Sequence, residues 1–358
     1  MLPILAFLIS SSLGYLSYKI VERPIREGKR VLALPKIVVV AAGAAVVIVG
    51  ALATREGLHD KARLSLSVVE RAKTDWYPDT WPDSAPPAEC TMRRTVEDVG
   101  EVAVSSFQRS CNGEGNGHAI RHLFVVGDSH ALVYAPLLWR LASEEGIETI
   151  TYSRTGCPLA NLMNVQPQCQ KFESTSIADI LDKGAPQDII FLPSLRLKRF
   201  VDQWGNLEKA EGKYQQEDEE DIKNRDLGYR EAVALMDRLK QHRMRVIIEA
   251  PTPIYHAPAF RCSDWFNAHN PVCEGGLVIS REEIRRYRAP VMEEISGLSD
   301  LYPDLIVWDP LPVLCPDETC RAITTSGQPL FFDGDHMSGL ANRLLYPPFL
   351  SLLHRVWL

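Results

Sequence analysis

His122-Leu123-Phe124-Val125-Val126-Gly127-Asp128-Ser129-His130 is the stretch on which the reading of this chain turns. HLFVV is a short apolar run bounded by Gly127, and it has the composition of a buried strand. From Ala131 to Glu145 the apolar residues recur at helical spacing, so Gly127 to His130 falls at a sharp turn between a strand and a helix. A serine at that turn stands at the strand end beside the unpaired N–H groups of a helix N-terminus. That geometry suits a nucleophile whose attack creates an oxyanion. It also suits a serine that only caps the helix, so the pentapeptide does not decide alone.

Short apolar runs return at Thr149 to Tyr152, Asp188 to Leu192, Arg245 to Glu249 and Leu305 to Trp308. Helical stretches separate several of them, including Leu227 to His242, where Val233, Met236 and Leu239 share a face. Strand and helix in alternation predict a parallel sheet covered on both faces, with its site at the strand C-terminal ends. Near the chain end, Phe331-Phe332-Asp333-Gly334-Asp335-His336-Met337-Ser338 supplies what a serine needs for activation near neutral pH. His336 is a general base, and a carboxylate three residues earlier, Asp333, can fix its tautomer within one turn. Asp128 is expected to organise the turn through backbone hydrogen bonds, and His130 to orient the loop or cap the helix. Arg154, Arg196 and Arg199 are candidate contacts for an anionic glycan or an oxyanion, against the ordinary expectation that arginines at strand ends are solvated.

The chain has 358 residues, 46% hydrophobic and 24% charged, enough for one full-sized core with appended segments. A net charge of −7, with no Lys/Arg run interleaved with aromatics, argues against a nucleic-acid partner. Met1 to Tyr18 and Ile37 to Ala53 are uncharged apolar runs, each near the minimum for a spanning helix, so two transmembrane helices are expected. A cleaved signal peptide is disfavoured for the first, which lacks a basic start and a small-residue cleavage site. The connector carries Lys19, Arg23, Arg26, Lys29, Arg30 and Lys36, an excess that should stay cytoplasmic and put everything after Ala53 on the outer face of the inner membrane.

All eight cysteines follow the second run: Cys90, Cys111, Cys157, Cys169, Cys262, Cys273, Cys315 and Cys320. An even number confined to the exported part suggests disulfides, of which pairing each cysteine with its neighbour is the simplest of the open connectivities. Without a CxxC pair or a Cys/His cluster of finger spacing, no metal is expected. The expected organisation is residues 1–36 as a terminal span with its connector, 37–54 as a second span, 55–121 as a Pro- and Trp-rich lead-in, and 122–358 as the catalytic domain. The acidic stretch Glu208 to Asp226 reads as a solvated insertion.

GDSH after a strand, with D-x-x-H near the C-terminus, resembles blocks I and V of the SGNH (GDSL-like) hydrolases, over roughly His122 to the end. The resemblance implies a three-layer α/β/α domain in which Ser129, Asp333 and His336 form the catalytic triad. The family's spacing favours Asp333 over its competitor Asp335, and Gly156 occupies the block II position as an oxyanion donor. Ser17-Tyr18-Lys19-Ile20-Val21-Glu22-Arg23-Pro24-Ile25 resembles the end of the last conserved span of acyltransferase family three, many of whose members continue through an extra span into a periplasmic SGNH domain. GDSH and Ser153-Arg154-Thr155-Gly156-Cys157-Pro158-Leu159 are similar to those fused domains.

The implied activity is O-acyl transfer, with acetyl the expected group, to an envelope glycan such as a lipopolysaccharide O-antigen. Rival expectations are a periplasmic esterase using the same triad and a glycan-binding module without chemistry. No bound cofactor is expected. The acyl donor would come from acetyl-CoA through the many-span acyltransferase portion, in the same gene or a separate chain. Two departures stand out. That portion is missing save for one span, and block III (Gly-x-Asn-Asp) is replaced by Phe191-Leu192-Pro193-Ser194-Leu195-Arg196, which removes an oxyanion donor of a kind worth about 3 kcal/mol.

Overall fold

The computed structural model describes residues 2–27, 35–59, 65–80, 86–100, 102–111, 121–186, 188–200 and 219–357. The chain divides into two compact units, Met1–Ser65 and Leu66–Leu358.

In the first unit, helix α1 (Leu2–Ser17) runs through a π turn (Tyr18–Glu22) into a short helix at Arg23–Glu27, where Arg23 pairs with Glu27 at 3.0 Å. Helix α2 (Lys36–His59) follows. Its 24 residues reach about 36 Å, more than the ~30 Å of a bilayer core. Within it, Val40–Gly57 is the one stretch, among the described residues, in a helix long and apolar enough to cross a membrane. The other expected span is a helix of 16 residues, about 24 Å, so the structure carries one candidate crossing helix where two were expected. Lys29 and Arg30 of the basic connector lie outside the described residues.

The second unit is built on a seven-stranded sheet. Its strands are β1 (Cys90–Val99), β2 (Val102–Cys111), β3 (His122–Gly127), β4 (Glu148–Ser153), β5 (Ile189–Leu192), β6 (Arg245–Glu249) and β8 (Ile306–Trp308), in the order β1-β2-β4-β3-β5-β6-β8. From β4 to β8 every pairing is parallel, as the alternating pattern predicts, while β1 and β2 add antiparallel at the edge. A small ladder pairs β7 (Val278–Ser280) with β9 (Thr319–Arg321).

Side chains in the central strands alternate between two cores, as a pleated strand with both faces covered requires. Leu123, Val125, Ile189, Phe191 and Ile247 face one layer, which includes helix α4 (Ala135–Glu145) and helix α8 (Gly339–Trp357). Phe124, Val126, Ile190, Leu192 and Ile248 face the other, formed by α5 (Gln170–Lys183), α6 (Glu219–Gln241) and α7 (Arg281–Leu301). The short helix α3 (Ser129–Leu132) lies between β3 and α4. The result is a three-layer α/β/α fold.

The stretch expected to be a lead-in is partly core. Val69 and Trp76 are buried, and β1 and β2 pair antiparallel, with their far ends joined by the Cys90–Cys111 disulfide. Neighbouring cysteines also pair at Cys157–Cys169, Cys262–Cys273 and Cys315–Cys320, leaving none free. Of the acidic stretch, 208–218 lies outside the described residues, and 219–226 opens α6.

Candidate active site

Parallel β3, β4 and β5 end together, with Gly127 opposite Ser153 and Val125 opposite Phe191, so their following loops share one end of the sheet. Gly127 makes the approach possible: a Cβ there would stand 2.1 Å from the Pro193 carbonyl oxygen. Side chains larger than hydrogen are excluded, and the turn carrying Ser129 packs directly on the loop after β5. Asp128 joins the two. One carboxylate oxygen accepts from His130 N–H at 2.8 Å as the cap of α3, and the other accepts from Leu195 N–H at 3.2 Å. Arg154 N–H donates to the Gly127 carbonyl at 3.2 Å, tying in the loop after β4.

The second half of the site is one closed loop. Phe331 and Met337 bridge across it, and Phe332 N–H donates to the His336 carbonyl at 2.8 Å. Inside the loop, one Asp333 oxygen accepts from the backbone N–H groups of Asp335 (3.0 Å) and His336 (2.7 Å), and the other lies 2.7 Å from His336 Nδ1. Such an Asx turn explains the three-residue spacing: the carboxylate that folds the loop also holds the ring. With Nδ1–H donated to Asp333, His336 Nε2 is an acceptor, and it stands 2.8 Å from Ser129 Oγ. Ser129, His336 and Asp333 form one hydrogen-bonded row, in which Asp333 is buried and Ser129 and His336 are partly open to solvent.

Beside this row runs a second. Asp335, the competing carboxylate, lies 3.7 Å from His336 Nδ1, a full ångström farther than Asp333. Its main partners are His130, with Nε2 at 3.1 Å, and Arg199, whose Nε and Nη2 both reach Oδ2 at 2.7 Å. The His130 ring stacks on that of His336 at 4.8 Å between centroids. Burial works against a charge on either partner. For Asp335 the His130 hydrogen bond and the positive charges of His336, His130 and Arg199 win, holding the carboxyl well below its usual range. For His130 the Asp335 hydrogen bond and the charges of Asp128, Asp335 and Glu249 win, holding the imidazole above its ordinary value.

His130, Asp335 and His336 bring one donor atom each within 4.8 Å of one another, a spacing that could admit a metal ion. The arrangement fits a hydrogen-bond network better. His336 Nε2 faces Ser129, and Asp335 Oδ2 already serves two groups, one of them the permanently charged Arg199.

Gly156 lies in the exposed turn after β4 with φ +75°, and Arg154 beside it is exposed. Arg196 is not the surface residue that strand-end arginines usually are. Fully buried, it donates to the carbonyls of Ala160 (3.0 Å), Leu192 (3.0 Å), Leu159 (3.1 Å) and Glu249 (2.9 Å). In the loop after β5, this arginine locks together the ends and loops of β4, β5 and β6, and burial brings its pKa down to about 10. Behind it lies a network that sequence reasoning missed: Tyr134 OH donates to Glu249, Trp308 Nε1 donates to Tyr134 at 3.2 Å, and burial pushes the Glu249 carboxyl up to about 7.

Residues 89–351 match the family described as the SGNH domain fused to AT3 domains. The chain belongs to this SGNH family. Among solved structures, the periplasmic domain of a lipopolysaccharide acetyltransferase from Salmonella ser. Paratyphi A is similar at 13% identity. The match covers 66% of this chain and 84% of that one, with a TM-score of 0.42. A putative acylhydrolase from Bacteroides fragilis is similar at 10% identity, over 66% of this chain and 87% of that one, with a TM-score of 0.36. No curated protein matches. The family assignment rests on the 89–351 match, and the family's description places its SGNH domains in fusion with AT3 domains.

Proposed function

We propose that the chain is the membrane-anchored catalytic part of an envelope O-acyltransferase, with Ser129, His336 and Asp333 as its triad. The observation that carries the reading is the unbroken row from Asp333 through His336 to Ser129, in a domain whose family is fused to acyltransferases. Ser129 Oγ attacks the carbonyl carbon of an acyl ester while His336 Nε2 takes its proton. Asp333 holds Nδ1–H and stabilises the imidazolium. The leaving group departs with that proton, giving an acyl-serine. A sugar hydroxyl then repeats the sequence in reverse, losing its proton to Nε2 as it takes the acyl group and restoring Ser129.

Backbone N–H groups of Ser129 and Gly156 are the donors assigned to the oxyanion, with Asp128, His130 and Arg154 supporting the loops around it. The donor is an acyl group, acetyl by family, delivered from acetyl-CoA through the acyltransferase portion. The acceptor is an envelope polysaccharide such as an O-antigen. Four disulfides favour an oxidising compartment, and α2 supplies an anchor, which together support a periplasmic domain held at the inner membrane.

The test is p-nitrophenyl acetate turnover by the oxidised full chain in detergent, with and without a polysaccharide acceptor, beside Ser129→Ala. Nitrophenol release that the variant lacks, with acetyl found on the glycan, supports transfer. Release with acetyl found only as acetate moves the assignment to an esterase. Equal inertness of both folded proteins leaves a binding module.

A further inference from the structure

The loop closed by Cys262–Cys273 presents two aromatic side chains to solvent, Trp265 (72% exposed) and Phe266 (55%), at the same end of the fold as the triad loop. Neither is exposed because the loop is loose. At its base, Phe260 N–H donates to the Phe332 carbonyl at 2.7 Å, and the two rings stack at 4.5 Å with planes 10° apart. Tyr255 N–H likewise donates to the Gly334 carbonyl at 2.7 Å, so the segment leading into the loop is fastened on both sides of Asp333. Further out, the buried Asp264 carboxylate accepts from Val68 N–H at 2.7 Å, and Asn267 Nδ2 donates to the Arg261 carbonyl at 2.6 Å. A disulfide, a ring stack and these hydrogen bonds thus fix a loop whose two largest apolar side chains stay in water. Aromatic rings left in water forgo the burial that a covering ligand would supply.

The two rings stand roughly perpendicular, with centroids 5.6 Å apart and planes at 86°, and both are largely open to solvent, forming one aromatic patch. An aromatic face is negative, and what it attracts is a surface of weakly positive C–H groups with hydroxyls pointing sideways. One face of a pyranose ring has that character. The same loop carries exposed, polar His269 and Asn270, while the amides of Asn267 and Asn270 hold the loop together, Asn267 Nδ2 on the Arg261 carbonyl and Asn270 Nδ2 on Asn267 Oδ1. The only acidic or basic side chain between Cys262 and Cys273, apart from His269, is Asp264, which is buried and engaged with Val68. A neutral, hydroxyl-bearing ligand suits that surface. An anionic lipid headgroup would call for lysines and arginines, which this loop lacks.

We infer that Trp265 and Phe266 form a stacking platform for a pyranose ring of the acceptor glycan, fixed to the triad loop through Phe260 and Phe332. The inference rests on the acyl-transfer reading and deepens it: it places a sugar-binding subsite outside the triad and makes a polymer, rather than a lone monosaccharide, the preferred acceptor.

Binding, measured apart from chemistry, tests it. The probes are gluco-, manno-, rhamno- and N-acetylglucosamine oligosaccharides of four to eight units, titrated against the oxidised full chain in detergent. The protein is compared with Ser129→Ala, with Trp265→Ala/Phe266→Ala and with Trp265→Tyr. The expected result is at least one oligosaccharide whose Kd rises tenfold or more in the double variant. Its affinity stays within threefold in Trp265→Tyr, which keeps a ring, and is unchanged in Ser129→Ala, which keeps the platform. If no oligosaccharide binds, or if the double variant binds as well as the parent, the platform is overturned. Proteoliposomes of phosphatidylethanolamine and phosphatidylglycerol with brominated chains give a second arm: fluorescence quenching present in the parent and lost in Trp265→Phe would assign the patch to the membrane instead. Because p-nitrophenyl acetate turnover is read separately, failure of the serine chemistry and failure of the platform are told apart.

Discussion

His336 with Asp333 and His130 with Asp335 are two histidine–aspartate pairs whose rings lie stacked 4.8 Å apart, and their surroundings separate them. The first pair ends on a hydroxyl that solvent can reach. The second ends on Arg199 and closes into an ion network whose two inner members, His130 and Asp335, are almost wholly buried. His336 Nε2 faces Ser129 Oγ at 2.8 Å, whereas His130 Nε2 faces Asp335, a carboxylate that Arg199 also holds. On the proposed acyl-transfer reading, the same side-chain chemistry would serve turnover in one pair and rigidity in the other, with the partner at the far end deciding which.

The largest effect expected from breaking this comparison is on rate. Ser129→Ala and His336→Ala should each reduce ester turnover by up to about 10⁶-fold, and the double variant should lose little beyond either, since the row acts as a unit. A clearly additive double loss, read from kcat/KM on p-nitrophenyl acetate, would mean that the two do not work together. Asp333→Asn should follow at up to about 10⁴-fold, with a melting temperature close to the parent's.

Asp335→Asn should reverse that pattern. Leaving buried His130 without its counter-charge should cost about 3–5 kcal/mol in chemical denaturation, with a smaller loss of rate in whatever protein stays folded. If the two aspartate variants lose rate alike and stability alike, the division of labour is wrong. Arg199→Met should cost only about 1 kcal/mol, because that guanidinium is half exposed and screened.

The smallest effect, and the most diagnostic, is in pH. His130 is held above the ordinary imidazole value of 6.5, so its share of stability is complete below 6.5 and is lost as pH rises through the folded value. Asp335 is held below 3.8, so its share is present above 3.8 and is lost as pH falls through the folded value. The pair should stabilise most between those values. Denaturation midpoints of the parent should decline above this window, and those of His130→Gln should decline less.

The strand–turn–helix at His122 to Glu145 was legible because its signal is local: a five-residue apolar run, a glycine and a helical period. Asp333 and His336 were legible for the same reason, lying within one turn. The edge pair β1–β2 was not. β1 reads CTMRRTVEDV and buries only Cys90, so no alternation marks it as a strand beyond its pairing with β2. Arg196 could not be read either, since its acceptors come from Leu159, Ala160, Leu192 and Glu249, which only the folded sheet brings together. The partnership of His130 with Asp335 spans 205 residues, and sequence offered it only as one acidic residue competing with another.

The four disulfides span 21, 12, 11 and 5 residues and never interleave. Eight cysteines allow 105 connectivities. Here each thiol meets its own partner before the next pair has emerged, if the chain is threaded through a pore from its amino end. Oxidation can therefore keep pace with export, one small ring at a time, and a correctly crosslinked domain needs no later reshuffling of bonds across the sheet.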